Sequence, residues 1–340
     1  MLGHTPYMAL LVTGGAGYVG SHTVRMLVEH GRQVVVLDSM ECGHRSAVTG
    51  ADLVVGDVRD IEVVRRLVRD FRVDGVIHFA GYKAPGESMS KPHRYFDNNV
   101  SSTLQLLEVL AQENVRRIVF SSSCAVYGAP TDLPVRESHP LTPQSPYGES
   151  KQIVEQMLKW FDVCHDVHYV SLRYFNAAGA SLDARIGEDW TATANLVPLA
   201  MKAALRRRPP LQVFGTDYPT RDGTAIRDYV HVVDLAAAHI KSIEYLEGGG
   251  FSSTLNLGTG QASSVFEVVR CLERVSQTSV PVDLAERRVG DPPAIWADNG
   301  AARELLGWIP RFDLDDIVRT AWLWHSTHID GYAADTFSAR

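Results

Sequence analysis

The stretch ALLVTGGAGYVGSHTVRMLVEHG, residues 9–31, runs an apolar strand into a glycine-rich turn and then into a helix. Val19, Val24, Leu27 and Val28 recur at helical spacing, and Gly31 ends the helix. Gly14, Gly17 and Gly20 stand at G-x-x-G-x-x-G spacing between the strand and the helix. Glycines there permit a tight turn, let the backbone approach a pyrophosphate and allow close packing of helix on strand. The helix start then offers free N–H groups and a partial positive charge to phosphates. Such a pattern alone is a weak signal; its strand–turn–helix context is the confirming one.

QVVVLD, DLVVGDV, DGVIHFAG, VRRIVFSSS and VHYVSLRYFN supply five further apolar strands, each separated from the next by helical or loop material. Strands alternating with helices imply parallel pairing and right-handed crossovers. The predicted fold class is therefore α/β, a Rossmann-type doubly wound parallel sheet. The alternation runs to about Asn176. Beyond it, the loops DARIGEDW and TDYPTRDGTAIRDY and the Gly248-Gly249-Gly250 turn predict a smaller C-terminal α/β domain. TLNLGTG is expected to return a strand to the first sheet. The expected division is a nucleotide-binding domain over 8–176, completed by part of 228–262, and a substrate domain over 177–340.

Asp38 ends the second strand, eighteen residues after Gly20, with Ser39 beside it. An acid at that place hydrogen-bonds an adenosine ribose and repels a 2′-phosphate, which favours NAD over NADP. Asp57, after the third strand, is placed to approach the adenine.

SPYGESK, residues 145–151, sets Tyr147 and Lys151 one helical turn apart on one face. A Tyr-x-x-x-Lys pair is common, and a solvated helix start with Pro146 in its first turn is the plain alternative. The chemical reading is that an ammonium beside a phenol favours the phenolate, a base near neutral pH. The glycine fingerprint decides for chemistry. The fifth strand ends in Ser121-Ser122-Ser123 at the sheet edge where ligands of open α/β sheets collect. Ile153, Val154, Met157, Leu158 and Phe161 form the buried stripe of the helix, leaving Tyr147 and Lys151 to turn toward a cleft. Beside a nicotinamide, Tyr147 takes an alcohol proton as the ring takes hydride from the same carbon, and Ser123 hydrogen-bonds the developing carbonyl.

Composition narrows the function classes. Of 340 residues 45% are apolar and 21% charged, with a net charge of -7, which argues against nucleic acid as a partner. Arg206-Arg207-Arg208 is a short run beside two prolines and reads as a solvated helix end. Four cysteines without a C-x-x-C and thirteen histidines without H-E-x-x-H predict neither a metal site nor a disulfide framework. No apolar stretch reaches ~18 residues and no signal-peptide design is present, so a reduced, cytoplasmic protein with no membrane partner is expected.

TGGAGYVGSH, HFAGYKAPGES, YFDNNV, FSSSCAVYG, TPQSPYGESK, LRYFNAAGA, DGTAIRDYVHV and GDPPAIWAD follow one another as in the UDP-glucose 4-epimerases. The chain resembles this family, which lies within the extended short-chain dehydrogenase/reductases, from about Ala9 to about His325. The resemblance implies interconversion of UDP-glucose and UDP-galactose through a 4-keto-hexose on permanently held NAD. It assigns Tyr18, Val19, Asp38, Asp57, Val58, Phe79, Ala80, Gly81, Lys83, Asn98 and Phe175 to NAD. To the UDP-sugar it assigns Asn176, Asn195, Leu196, Phe214, Arg227, Tyr229, Arg288 and Asp291. Arg227 and Arg288 then neutralise a diphosphate. Ile295 stands where many bacterial members carry tyrosine, on the C2 side of the hexose, which implies slower activity on UDP-N-acetylhexosamines. The resemblance also suggests a homodimer through helices near 99–113 and 148–163.

A 4-epimerase of a UDP-pentose or UDP-uronic acid is the alternative reading. A nucleotide-sugar 4,6-dehydratase fits poorly, because Cys124 and Ala125 stand where such enzymes carry Asp-Glu. A non-catalytic NAD-binding regulator would have no need of a matched Ser123, Tyr147 and Lys151. Tyr82, in AGYKA, replaces a residue that is often leucine, and the sequence offers no functional account of it.

Overall fold

The computed structural model describes residues 8–190, 193–288 and 291–332. The strands are β1 (Ala9–Thr13), β2 (Val34–Asp38), β3 (Asp52–Val55), β4 (Val73–His78), β5 (Arg117–Ser123), β6 (His168–Tyr174), β7 (Asn176–Ala178), β8 (Leu211–Phe214), β9 (Ile226–His231), β10 (Ser253–Leu257), β11 (Ala262–Ser264), β12 (Val282–Ala285) and β13 (Ala294–Ile295). The helices are α1 (Tyr18–Glu29), α2 (Ile61–Asp70), α3 (Pro85–Ser90), α4 (Pro92–Tyr95), α5 (Ser102–Gln112), α6 (Pro146–His165), α7 (Leu196–Ala204), α8 (Val232–Glu247), α9 (Val265–Ser276), α10 (Gly300–Leu306) and α11 (Leu314–Thr327). A π-helical turn, Phe96–Ser101, joins α4 to α5.

Seven strands form one sheet in the order β10-β6-β5-β4-β1-β2-β3. The β1–β2, β1–β4, β2–β3 and β4–β5 pairings are parallel, with Leu11 opposite both Val35 and Val76. Every residue of β1 and β2 is buried, as expected of parallel strands covered on both faces. The chain steps outward from β1 to β2 and β3, then crosses to β4 on the other side of β1. That reversal makes a switch point beside β1, where ligands bind beyond the carboxyl ends of the strands. Leu11, Val35, Leu67, Leu106, Phe120, Val154 and Leu158 share one core, which packs α2, α5 and α6 on the sheet.

The chain divides into two units. One takes the chain through Ser123, Ser145–Leu172 and Ala236–Thr254; the other takes Cys124–Gln144, Arg173–Leu235 and the chain from Leu255. The sequence places the boundary after Asn176 with part of 228–262 returned to the first domain; in the structure the first unit takes back Ala236–Thr254, while Cys124–Gln144 goes with the second unit. Val135 explains this: its amide donates to Trp296 O and its carbonyl accepts from Asp298 N, each at 2.8 Å. The Tyr127 hydroxyl donates to Asn256 Oδ1 at 2.7 Å within the same unit. Residues 333–340, the end of the expected second domain, lie outside the described residues, as do 191–192 and 289–290.

In the second unit β9 is the organising strand. β11 pairs with it antiparallel, while β13 and β7 pair with it parallel. Ala200, Met201, Val268, Leu272, Ile317 and Val318 form the core of α7, α9 and α11.

Candidate active site

Ser145 caps α6 by accepting from the Gly148 amide at 3.2 Å, and Pro146 occupies the first turn. This start delivers Tyr147 and Lys151 beside the carboxyl end of β5, where Ser123 is the last residue. The Tyr147 amide donates to Ser88 Oγ at 3.2 Å, and its carbonyl accepts from Ser150 Oγ at 2.7 Å. The Lys151 ammonium donates to Ser121 O at 2.8 Å. It lies 4.9 Å from the Phe120 ring centre and 5.9 Å from that of Tyr147.

The sequence leaves Tyr147 and Lys151 off the buried stripe of α6, whereas the structure buries both. Burial is the main cause that lowers the Lys151 pKa to about 8, opposed by the negative charge of Glu155. Glu155 is itself buried one turn further along, and its Oε1 accepts from Ser122 Oγ at 2.6 Å. The Lys151 charge is thus held in a low-dielectric setting 5.9 Å from the centre of the phenol ring.

His78, at the end of β4, is a buried histidine that the sequence reading did not single out. Thr103 Oγ1 donates to Asn99 O at 2.6 Å, so it accepts from His78 Nε2 at 2.9 Å, and Nδ1 accepts from Thr13 Oγ1 at 2.6 Å. Burial, aided by the charge of Lys151, holds the His78 pKa down at about 3. It stays neutral and does not compete with Lys151 as a cation.

The glycine turn has the geometry that a dinucleotide needs. Gly14 has φ +70°, and a Cβ there would sit 2.5 Å from Ala80 N; a Cβ on Gly20 would sit 2.3 Å from Gly14 O. Gly17 starts α1 without a side-chain cap, which leaves amides of the first turn for an anion. Asp38 is buried, and its oxygens accept from Ala16 N and Met40 N, each at 2.9 Å. Burial raises its pKa. Each carboxylate oxygen keeps a further lone pair for a ribose hydroxyl. These residues fit NAD.

The other expected cofactor residues of the first unit are placed as follows. The Ser39 hydroxyl accepts from Glu41 N at 3.4 Å. Asp57 is taken up by Arg59, which hydrogen-bonds it at 2.6 Å and lowers its pKa. Val58 is buried and Val19 half-buried in α1. Phe79 packs on His239 with ring centres 4.5 Å apart, and the Ala80 amide donates to Thr13 O at 3.1 Å. The Lys83 ammonium is 5.6 Å from the Tyr18 ring centre. Gly81 carries φ +153°, and a Cβ there would sit 3.1 Å from Asn99 Oδ1. Asn98 donates to that same Oδ1 at 3.2 Å. Asn99, which the sequence reading passed over, is the clamp: it accepts from Tyr82 N at 2.8 Å and donates to Tyr82 O and Ser150 Oγ. The π-helical turn over 96–101 sets which of the two adjacent asparagines points inward, and the side-chain pattern alone carries no sign of it.

Phe175 lies in the second unit, buried, with its amide donating to Leu257 O at 3.1 Å. Of the expected substrate residues, Ser123 and Tyr147 belong to the first unit and the others to the second. Ile295 pairs with Arg227 and Asn176 with Tyr229, so four of them lie on β9 or directly beside it. Arg227 and Tyr229, two apart on the strand, share a face. Arg227 Nη1 donates to Pro292 O at 2.9 Å, and Nη2 lies 3.8 Å from Asp291. Asn176 donates to Asp228 O at 3.0 Å. Tyr229 is buried, which pushes its pKa up to about 12. Asn195 precedes Leu196 at the start of α7 and donates to Glu188 at 2.7 Å. Arg288 lays its guanidinium 3.8 Å from the Phe214 ring centre. Asp228, also passed over, is buried, and it accepts from Thr259, Gly260 and Ala297 amides to hold β13 against β9.

Among the described residues no cluster of His, Cys, Asp and Glu could hold a metal ion, and no helix is long and apolar enough to cross a membrane. Fold and site together define a dinucleotide-dependent enzyme with a Ser–Tyr–Lys set. The chain belongs to the NAD dependent epimerase/dehydratase family, whose pattern matches residues 10–258. It is 48% identical over 317 residues to the UDP-glucose 4-epimerase of Azospirillum brasilense, covering 93% of this chain and 91% of the relative. It is 44% identical to that of Lacticaseibacillus casei, over 96% of this chain and 99% of the relative. The crystal structure of UDP-glucose 4-epimerase from Brucella ovis in complex with NAD superposes with a TM-score of 0.91 at 44% identity, covering 93% and 98% of the two chains.

Proposed function

We propose that this chain interconverts UDP-glucose and UDP-galactose by oxidising and re-reducing C4 of the hexose, as an NAD-dependent UDP-glucose 4-epimerase. The observation that carries this is the buried Lys151 ammonium, tied to Ser121 O and set beside Tyr147 at the strand end that bears Ser123. NAD, when bound, supplies the two-electron acceptor and donor for C4. The glycine turn and the α1 N-terminus bind its pyrophosphate, and Asp38 binds the adenosine ribose. Ser39, Asp57, Phe79, Gly81, Lys83, Asn98 and Phe175 contribute further cofactor contacts.

Tyr147, as phenolate, takes the proton from the 4-hydroxyl and later returns it. Lys151 stabilises that phenolate, and Ser123 donates to the same oxygen as it becomes a carbonyl. Arg227 and Arg288 neutralise the diphosphate, so the nucleotide anchors the substrate and the hexose stays able to present either face. Binding energy spent on UDP thus serves orientation. UDP-pentoses and UDP-uronic acids remain the alternative substrates.

A homodimer fits exposed apolar side chains on the two expected helices: Leu104 on α5, and Trp160 and Val163 on α6. Free cysteines, two of them exposed, suit a reducing cytoplasm, and the net charge of -7 suits a partner other than nucleic acid.

Purified protein, assayed on UDP-galactose without added NAD, tests the function. We expect turnover, release of NAD on denaturation, and a loss of roughly 10²-fold or more in Tyr147→Phe with NAD retained. Near wild-type turnover in Tyr147→Phe would overturn the proton-transfer assignment.

A further inference from the structure

We propose that Tyr82, Glu41 and Arg94 form a bridge over the glycine turn that retains the dinucleotide, an inference resting on the cofactor reading above. The sheet order places β1 between β2 and β4. The loops after β2 and β4 therefore stand on either side of the glycine turn, starting about 10 Å apart at ordinary strand spacing. A side-chain bond between those loops passes over the carboxyl end of β1, where the α1 N-terminus faces phosphates.

Such a bond is present. Tyr82, after β4, donates its phenol proton to Glu41 Oε2 at 2.5 Å, and Glu41 belongs to the loop after β2. Arg94 pairs with the other Glu41 oxygen and lies 3.9 Å from the centre of the Tyr82 ring. Arg94 is in turn held by Glu87 Oε1 at 2.8 Å. Phenol, carboxylate and guanidinium thus each contact the other two.

Both ends of the span are anchored. The Tyr82 backbone is clamped at N and O by Asn99. The other loop is tied to the glycine turn by His44 N donating to Ala16 O at 3.0 Å and Ala16 N donating to Asp38 Oδ2 at 2.9 Å. Glu41 and Arg94 are partly exposed, so this cluster adds little to folding stability. Its position gives it a different role: a dinucleotide seated on the turn leaves only after the bridge opens. A leucine at position 82 has no hydroxyl to donate. The tyrosine that the sequence left unexplained is thereby accounted for.

The test compares NAD release from holoprotein of wild type, Tyr82→Phe, Glu41→Gln and the double variant, diluted into an NAD-consuming trap. Tyr82→Phe keeps the ring beneath Arg94 and removes only the hydroxyl. Each single variant is expected to release NAD about 10-fold faster, the scale of one lost charge-assisted hydrogen bond. The double variant should be no faster than the faster single one, because both changes break the same bond. Melting at saturating NAD should match wild type, which separates retention from damage to the fold. Wild-type release rates in both single variants, additive effects in the double, or a lowered melting temperature at saturating NAD would overturn the bridge. Wild-type protein that yields no NAD on denaturation would overturn the cofactor reading together with it.

Discussion

Lys151 donates from its ammonium to the carbonyl of Ser121 at 2.8 Å, fixing the lysine of α6 to the strand that ends in Ser123. The Lys151 ammonium, the Tyr147 ring beside it and Ser123 are thereby referenced to one strand end.

That charge has a pH signature. With its pKa lowered to about 8, Lys151 is charged at neutral pH and loses its proton as pH rises through about 8. Its help to Tyr147 fades over that range. Lys151→Ala removes the positive charge altogether, so Tyr147 must ionise unaided at higher pH. We expect the variant to be slower at neutral pH, with its rising limb displaced to higher pH. Rate profiles of the two proteins on UDP-galactose check this, and superimposable limbs would contradict it.

Gly14 and Gly31 make a controlled pair. Both have positive φ, but a Cβ on Gly14 meets Ala80 N at 2.5 Å, whereas one on Gly31 meets nothing within 4 Å among the described residues. Gly31→Ala should cost only the backbone term, about 1 kcal/mol, and keep NAD. Gly14→Ala should be clearly less stable than that and lose NAD as the turn shifts. Melting temperature and NAD content of the purified variants decide it.

His325 carries a stability prediction. Its pKa is held down at about 3 by burial, with Lys202 adding to the effect. An unfolded histidine takes up its proton near pH 6.5. Unfolded chain therefore binds more protons between these values, and the stability from His325 is complete above about 6.5 and lost as pH falls toward 3. His325 Nδ1 is buried with no hydrogen-bond partner among the described residues, and its ring stacks on Trp190 with centres 4.7 Å apart. His325→Phe should keep the stack, gain about 1 kcal/mol at neutral pH and flatten the acid fall in stability. Denaturant titrations across pH test it; an unchanged acid limb would contradict it.

Arg288 should act on binding rather than on the chemical step. Its guanidinium lies 3.8 Å from the centre of the Phe214 ring, at the end of β8. Arg288→Gln is expected to raise KM for UDP-galactose about 10-fold or more with a smaller change in kcat, because the diphosphate charge does not change during reaction. Arg288→Lys should restore this only in part, since a lysine lacks the planar stack. A kcat loss as large as the KM rise would contradict it.

Ile295 is expected to set substrate breadth. It is buried on β13 opposite Arg227 and fills less space than a tyrosine would. We expect UDP-hexoses to be preferred over UDP-N-acetylhexosamines by roughly 10- to 100-fold, the cost of a steric conflict in a packed pocket. Ile295→Tyr should suppress the N-acetyl activity selectively. Equal N-acetyl rates in the two enzymes would show that another wall sets the limit.

The parts legible in the amino-acid order were those with short-range causes. Alternating apolar runs and helical stripes specify parallel strands and their crossovers, and G-x-x-G-x-x-G between strand and helix specifies the glycine turn. Tyr147 and Lys151 meet because they are one turn apart on α6, and Arg227 and Tyr229 share a face because they are two apart on β9.

What the tertiary structure alone decided depends on approach between segments far apart in the chain. Whether Lys151 is solvated or buried depends on Phe120 and Ser121 of a different element, so its lowered pKa was invisible in SPYGESK. His78 looks like any strand histidine until Thr13 and Thr103 close on its two nitrogens. Asn99 and not Asn98 clamps the loop at Tyr82 because a π-helical turn rotates the side chains there. Segment 124–144 joins the second unit through the hydrogen bonds of Val135, a residue with no marking in sequence. Tyr82 acquires a partner only because strand order brings the loops after β2 and β4 to either side of β1. Periodicity encodes which face a residue occupies; which distant residue meets it there is set by the packing of the whole sheet.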